Sequence, residues 1–214
     1  MSNINKEYIE DYIRDIIPER TEFLRTLEKY ADENRVPIVH SEVAEFLKVI
    51  IKIKGAKKIL EIGTAIGYSA IIMASSMNKG KVISIERRED MVKLARENIN
   101  KSQIGGIDVI QGEAQEVLYN INEKFDIIFI DAAKGKYMDF LPFCIDMLED
   151  NGIIISDNVL FRGMVANDDL VIRRKKTIVK RMREYLKYIS RHPKLITSII
   201  PIGDGMAISY KEDK

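Results

Sequence analysis

Tryptophan is absent from this chain, cysteine occurs once, and proline five times in 214 residues. The single Cys144 excludes an internal disulfide and any zinc cluster built on cysteine. It lies in an apolar run with helical spacing and reads as packing. Aromatic residues make up only 7%, so a core has to be assembled from Ile, Val, Leu and Met. Neither sign of charge dominates: 34 Lys and Arg stand against 33 Asp and Glu, a net of +1. Global charge therefore gives no reason to expect a nucleic-acid partner, and only a local patch could supply one. No signal peptide, apolar run of membrane length, repeat or low-complexity tract is found, so the expectation is a soluble cytoplasmic protein with no membrane partner. The length suits one domain, expected over 1–214 with a helical cap at 1–54 and an α/β core at 55–214.

What is present begins with apolar positions at helical spacing. Ile9, Ile13, Ile16 and Ile17, then Phe23, Leu24 and Leu27, predict two amphipathic helices over 3–17 and 20–34, separated by Pro18. Such helices serve to cover a face or to pack on a partner subunit. Ser41 with Glu42 opens a third helix to about Ile53, which Gly55 ends. Strand and helix then alternate: strands at 57–62, 81–86, 107–110, 125–130 and 152–156, helices at 67–77, 89–101, 114–121 and 135–148. Five nearly continuous apolar strands imply a parallel sheet buried on both faces. A long polar helix is expected from Asp168 to Ser190. Strands 195–200 and 205–210, joined through Pro201 to Gly205, read as an antiparallel hairpin.

Residues 59–69 carry the first functional signal: a strand runs through Gly63 and Gly67 into a helix, which brings bare Cα atoms and backbone N–H groups to a sheet edge. The middle glycine of a dinucleotide turn is replaced by Ala65 and the last by Tyr68, so a pyrophosphate fits poorly. Glu86 follows 23 positions after Gly63, at the end of the next strand, where it can accept both hydroxyls of a ribose. Adenosine without pyrophosphate remains, and S-adenosylmethionine is the candidate ligand. A tight turn is also what any α/β fold needs; the coincidence of turn and acid favours the ligand.

In a doubly wound sheet the ligand crevice opens at the carboxyl ends of the strands where their order reverses, here between strands 57–62 and 125–130. Asp131 follows one strand end, Asp157 and Asn158 another. Two carboxylates and an amide oxygen, without thiolate or imidazole, suit a hard divalent cation such as Mg²⁺. Acids at strand ends also serve as helix caps, so it is their combination that points to metal. Such an ion would acidify a substrate hydroxyl. Lys134 could reach the same oxygen, and a cation nearby would lower its pKa toward a general-base role; without the metal it reads as a surface lysine opening a helix. His40 and His192 occupy ordinary loop positions, and Met73, Met77 and Met91 read as core.

Taken together, Leu60 to Ser69, Phe129 to Lys134 and Asp157 to Gly163 resemble the motifs of the cation-dependent class I O-methyltransferases, the family of the catechol and caffeoyl-CoA enzymes. The match runs from about Val36 to the hairpin at Gly203 to Ala207. The resemblance implies a doubly wound, Rossmann-like, seven-stranded sheet, mostly parallel with the antiparallel hairpin at its edge, and a homodimer. It further implies Val39, Gly63 and Ser69 along the methionine part of the donor, Glu86 at the ribose, and Glu113 with Ala114 at the adenine. Asp131, Asp157 and Asn158 would hold Mg²⁺ or Mn²⁺, with Asp131 also near the methionine ammonium. Family members vary at Glu113 and Ala133.

Within the family the combination is most similar to the bacterial tRNA 5-hydroxyuridine methyltransferases, which implies a tRNA anticodon stem-loop as partner and 5-methoxyuridine as product. The base is already partly unstacked in such a loop, and its 5-hydroxyl and 4-carbonyl form the adjacent oxygen pair the family needs. The sequence offers a local patch: eleven bases against three acids lie between Arg162 and Lys194. Arg162, Arg173, Arg174, Lys175 and Lys176 flank the metal loop and are the candidate RNA contacts. A solvated helix face would give the same composition. The competing expectations are an O-methyltransferase for small vicinal diphenols and a non-enzymatic cofactor-binding protein.

Overall fold

The apolar runs that predicted strands do pair, and their ends fall in line. A computed structural model describes residues 4–212; the expected start of the first helix at residue 3 and the domain ends at 1 and 214 lie outside the described residues. The strands are β1 (Lys58–Ile62), β2 (Lys81–Glu86), β3 (Ile107–Gln111), β4 (Phe125–Ile130), β5 (Leu148–Ser156), β6 (Leu195–Ile200) and β7 (Met206–Lys211). They form one seven-stranded sheet in the order β3-β2-β1-β4-β5-β7-β6. The first five are mutually parallel and the last two run antiparallel at the edge. The order reverses between β1 and β4, where the sequence places the crevice.

The helices are α1 (Glu7–Ile16), α2 (Glu22–Asn34), α3 (Ser41–Lys54), α4 (Tyr68–Ser76), α5 (Glu89–Ser102), α6 (Ala114–Asn120), α7 (Tyr137–Met147) and α8 (Lys176–Ile189). Side-chain alternation in the strands sorts the core into two layers. Ile59, Ile127 and Phe129 join Leu47 and Ile51 of α3 and Ile72 and Met73 of α4 on one face. Leu60, Ile62, Ile128 and Ile130 face Phe140 and Cys144 of α7 and Met182 and Tyr185 of α8 on the other. Each large apolar side chain so buried contributes on the order of 1.5–3 kcal/mol. Cys144 is fully enclosed, and burial pushes its thiol up to about 12, so it is inert packing as its context suggested.

Two local expectations need correction. The polar stretch from Asp168 to Ser190 is not one helix: 3₁₀ turns at Asp168–Leu170 and Arg173–Lys175 precede α8. Val171 and Ile172 take extended angles between them (ψ 106° and 142°), as β-branched residues readily do, and the Asn167 side chain caps the first turn by accepting from the Asp169 N–H at 2.9 Å. Second, β5 begins at Leu148 rather than 152, because Leu148 pairs with Phe125 before the register shifts, with Asn151 at φ 60° in the excursion. The third helix opens at Ser41 as expected; His40 occupies the cap position without a side-chain bond, and the Ser41 hydroxyl turns to Glu42.

Candidate functional site

The sheet register places the critical residues side by side. Just past the strand ends, the Gly63 N–H donates to Ile85 O at 2.9 Å, the Asp131 N–H to Ile62 O at 3.0 Å and the Asp157 N–H to Ile130 O at 2.9 Å. The ends of β2, β1, β4 and β5 are thus stitched into one rim. Gly63 has φ 110°, and a Cβ there would stand 2.0 Å from the Asp131 carbonyl oxygen, so only glycine lets β1 and β4 leave the sheet so close together. Beneath the rim the buried Tyr137 hydroxyl donates to both Asp157 O (2.9 Å) and Ile130 O (3.2 Å), tying the two acid-bearing loops to α7. Burial holds that phenol well above its ordinary pKa, so it remains a donor.

Asp157 is buried and Asp131 half-buried. Burial raises both carboxyls from their ordinary value, that of Asp157 well above it, and for Asp157 the neighbouring Asp131 charge adds to the rise. Lys134 opposes the effect at both; its Nζ donates to Asn158 Oδ1 at 2.8 Å. The Asn158 N–H in turn donates to Asp157 Oδ1 at 2.6 Å. Among the described residues no three His, Cys, Asp or Glu side chains gather as a ligand group. A cation here would therefore rest on two carboxylates and the Asn158 amide oxygen. That all-oxygen set fits a hard ion that keeps waters, and a divalent charge would relieve two crowded, desolvated acids.

Around the glycine turn, Glu86 accepts from Ala65 N–H at 3.1 Å with one oxygen and from Arg88 N–H at 2.9 Å with the other. Each oxygen keeps a lone-pair direction free for a hydroxyl. Glu113 stands at the N-cap of α6 before Ala114, and the Gly112 N–H donates to Glu86 O at 2.9 Å, so the expected adenine and ribose residues share one edge. The Ser69 hydroxyl donates to Glu61. Glu61 lies in the apolar strand β1, is fully buried, and bonds the Ser84 hydroxyl as well. Burial is the main cause that lifts its carboxyl to about 7.

An open crevice of about 1,790 Å³ lies over this rim. Val39, Asp131, Lys134, Asp157 and Asn158 line its floor, and Arg162, Arg174 and Lys175 one bank. Helices α1 and α2 form the other. Phe161, at φ 46°, stands at the mouth with Lys134 and Lys175 each 5.7 Å from its ring centre. Gly63 and Glu86 at strand ends, Glu113 at the cap of α6, and Ser69 and Ala114 in the first turns of α4 and α6 are not on the crevice wall, Arg173 is exposed outside it, and Lys176 lines a different concavity.

Several residues escaped the sequence reading. The hairpin turn reaches the site: Arg162 N–H donates to the Asp204 carboxylate, Leu160 N–H to Asp204 O (3.0 Å) and Val159 N–H to Gly205 O (2.8 Å). Tyr68 donates to Glu28 of α2, and Arg20 pairs with Glu45 and reaches Ser41 O at 2.9 Å. These link the helical cap to the glycine turn. An acid inside an apolar strand was a visible signal for Glu61; nothing local marks Tyr137, Arg20 or Asp204, whose partners are distant in sequence.

Comparison with known proteins agrees with this geometry. The family model described as O-methyltransferase matches residues 15–212. A catechol O-methyltransferase from Niastella koreensis is 29% identical over 177 residues, 79% of this chain and 80% of its own. A caffeoyl-CoA O-methyltransferase from Petroselinum crispum is 28% identical over 180 residues, 78% and 74% of the two chains. Among solved structures, a Staphylococcus aureus protein assigned as a caffeoyl-CoA O-methyltransferase superposes with TM-score 0.90 at 34% identity, covering 96% of this chain and 100% of that one. An O-methyltransferase from Bacillus cereus in complex with SAH gives 0.85 at 26% identity, covering 96% and 97%.

Proposed function

Because the chain belongs to the O-methyltransferase family, we propose that it moves a methyl group from S-adenosylmethionine to one hydroxyl of a planar acceptor bearing two adjacent oxygens. The observation that carries this reading is the rim itself, where Asp131, Asp157, Asn158 and Lys134 converge beside the Gly63 turn at the switch point of the sheet. The donor is supported by the family and by the SAH-bound B. cereus relative. Asp131, Asp157 and Asn158 would hold Mg²⁺ or Mn²⁺, which supplies the charge that orients and acidifies the acceptor oxygens. Lys134, as the neutral amine, would accept the hydroxyl proton as the oxygen–carbon bond forms and the sulfur–carbon bond of the sulfonium breaks. Glu86 anchors the donor ribose, and the Gly63 turn admits its methionine end.

Two acceptors satisfy this chemistry. The names of the relatives favour a small vicinal diphenol of the catechol or caffeoyl type. One observation favours the second, 5-hydroxyuridine in a tRNA anticodon loop: the crevice is large, open, and banked by Arg162, Arg174 and Lys175. Labelled donor offered with a catechol, with tRNA carrying the 5-hydroxyl and with tRNA lacking it, each with and without chelator, separates the readings. Transfer to neither acceptor, or transfer indifferent to the chelator, would count against the proposed chemistry. We also propose that the protein is a homodimer; support comes from α1, whose Tyr8, Tyr12 and Ile16 face outward, 66%, 65% and 61% exposed.

A further inference from the structure

A second concavity, of about 620 Å³, lies beside the crevice along α8. The two are separated only by the 3₁₀ turn Arg173–Lys175: Ile172, Arg174 and Lys175 face the crevice, whereas Val171 and Lys176 face the groove. Lys176, Lys180, Arg183 and Lys187 line the groove at spacings of four, three and four residues, one face of the helix over about 16 Å.

Not all of that charge is free. Arg183 is bound to Asp168 at 2.7 Å and to Val165 O at 2.9 Å, so it holds the preceding loop in place. Lys180 stands 3.9 Å from Glu184 in an exposed pair of little strength. Among the described residues no carboxylate lies within ion-pair distance of Lys176 or Lys187. The apolar residues Val179, Met182, Leu186 and Ile189 are buried, and α8 has no exposed aliphatic side chain with which to enter a bilayer.

We propose that this groove is the track for the sugar–phosphate backbone of a single nucleic-acid strand whose modified base occupies the crevice. The strand crosses the basic turn Arg173–Lys175 and sets successive phosphates against Lys176, Lys180 and Lys187. A regular row of lysines beyond a basic ridge suits a polyanion that continues past the site. The proposal rests on the RNA reading of the acceptor and adds to it a surface outside the catalytic crevice.

The test uses the full chain with Lys180→Gln and Lys187→Gln combined, both distant from the rim residues. Four quantities are measured for wild type and variant: methyl transfer to tRNA carrying 5-hydroxyuridine, methyl transfer to free 5-hydroxyuridine or a catechol, tRNA affinity across a salt series, and binding to anionic phospholipid vesicles. The expected result is roughly tenfold weaker tRNA binding and a salt slope shallower by about 1.4, two single-strand contacts at about 0.7 each, with unchanged turnover of the small acceptor. Equal affinity and slope in the two proteins overturn the track while the RNA reading stands. A wild type that turns over catechol but neither binds nor methylates the tRNA overturns that reading and the track with it. Lysine-dependent binding to anionic phospholipid vesicles without tRNA binding replaces the strand with a membrane surface and also overturns it.

Discussion

A methyl group added at Gly63 has nowhere to go, because the Asp131 backbone and not a movable side chain blocks it. Gly63→Ala is expected to destabilise the fold by roughly 2–4 kcal/mol through a positive φ and a displaced loop, read as a lower urea midpoint. Asp157→Asn keeps the shape but removes one of the two carboxylates; kcat/KM should fall by about a hundredfold or more, with the thermal midpoint little lowered. Glu61 gives a pH signature. Its folded carboxyl lies at about 7, above the unfolded range, so between those values the folded state holds a proton that the unfolded state has released. Stability therefore declines as pH rises from about 4.5 to 7, by an amount on the order of 3 kcal/mol, and levels off above. Urea midpoints at pH 5, 6 and 8 should show a smaller decline in Glu61→Gln; an equal decline in both proteins would remove Glu61 from the account.

Among the elements, α1 is held in an unusual way. Glu10 is its one buried residue, and the helix is tied to α3 by Arg14, which bonds Glu42 at 2.8 Å; the 3.4 Å contact of Arg14 with Glu10 lies within α1. Without apolar burial the attachment depends chiefly on that one ion pair to the buried Glu42, so the helix can open locally. Arg14→Ala should raise amide exchange across Glu7–Ile16 while leaving the β4 and β5 amides protected, and hydrogen-exchange mass spectrometry checks it. The helical period of this segment was legible, but whether its apolar stripe covers a face of this chain or is left for a partner subunit was not, and the helix turns Ile9, Ile13 and Ile16 outward. The stretch from Asp168 to Ser190 shows the opposite failure. Charge composition suggested one long helix, and two β-branched residues with a side-chain cap cut it, which in turn made a ridge between two concavities.

At the scale of the whole molecule, the acceptor can be distinguished by ionic strength: steep salt dependence of KM is expected for a tRNA acceptor and almost none for an uncharged diphenol. No helix among the described residues is long and apolar enough to cross a membrane. The sequence by itself determined the strand and helix succession, the switch point between β1 and β4, and the identity of the rim acids, because apolar period, glycine spacing and residues following strand ends are local properties of the chain. Only the tertiary structure decided that Tyr137 braces both acid loops, that Ser69 turns to the buried Glu61, and that the hairpin's Asp204 closes on Arg162. Those contacts join positions 7 to 42 residues apart on different elements, and no periodic pattern along the chain records a partner that only folding brings near.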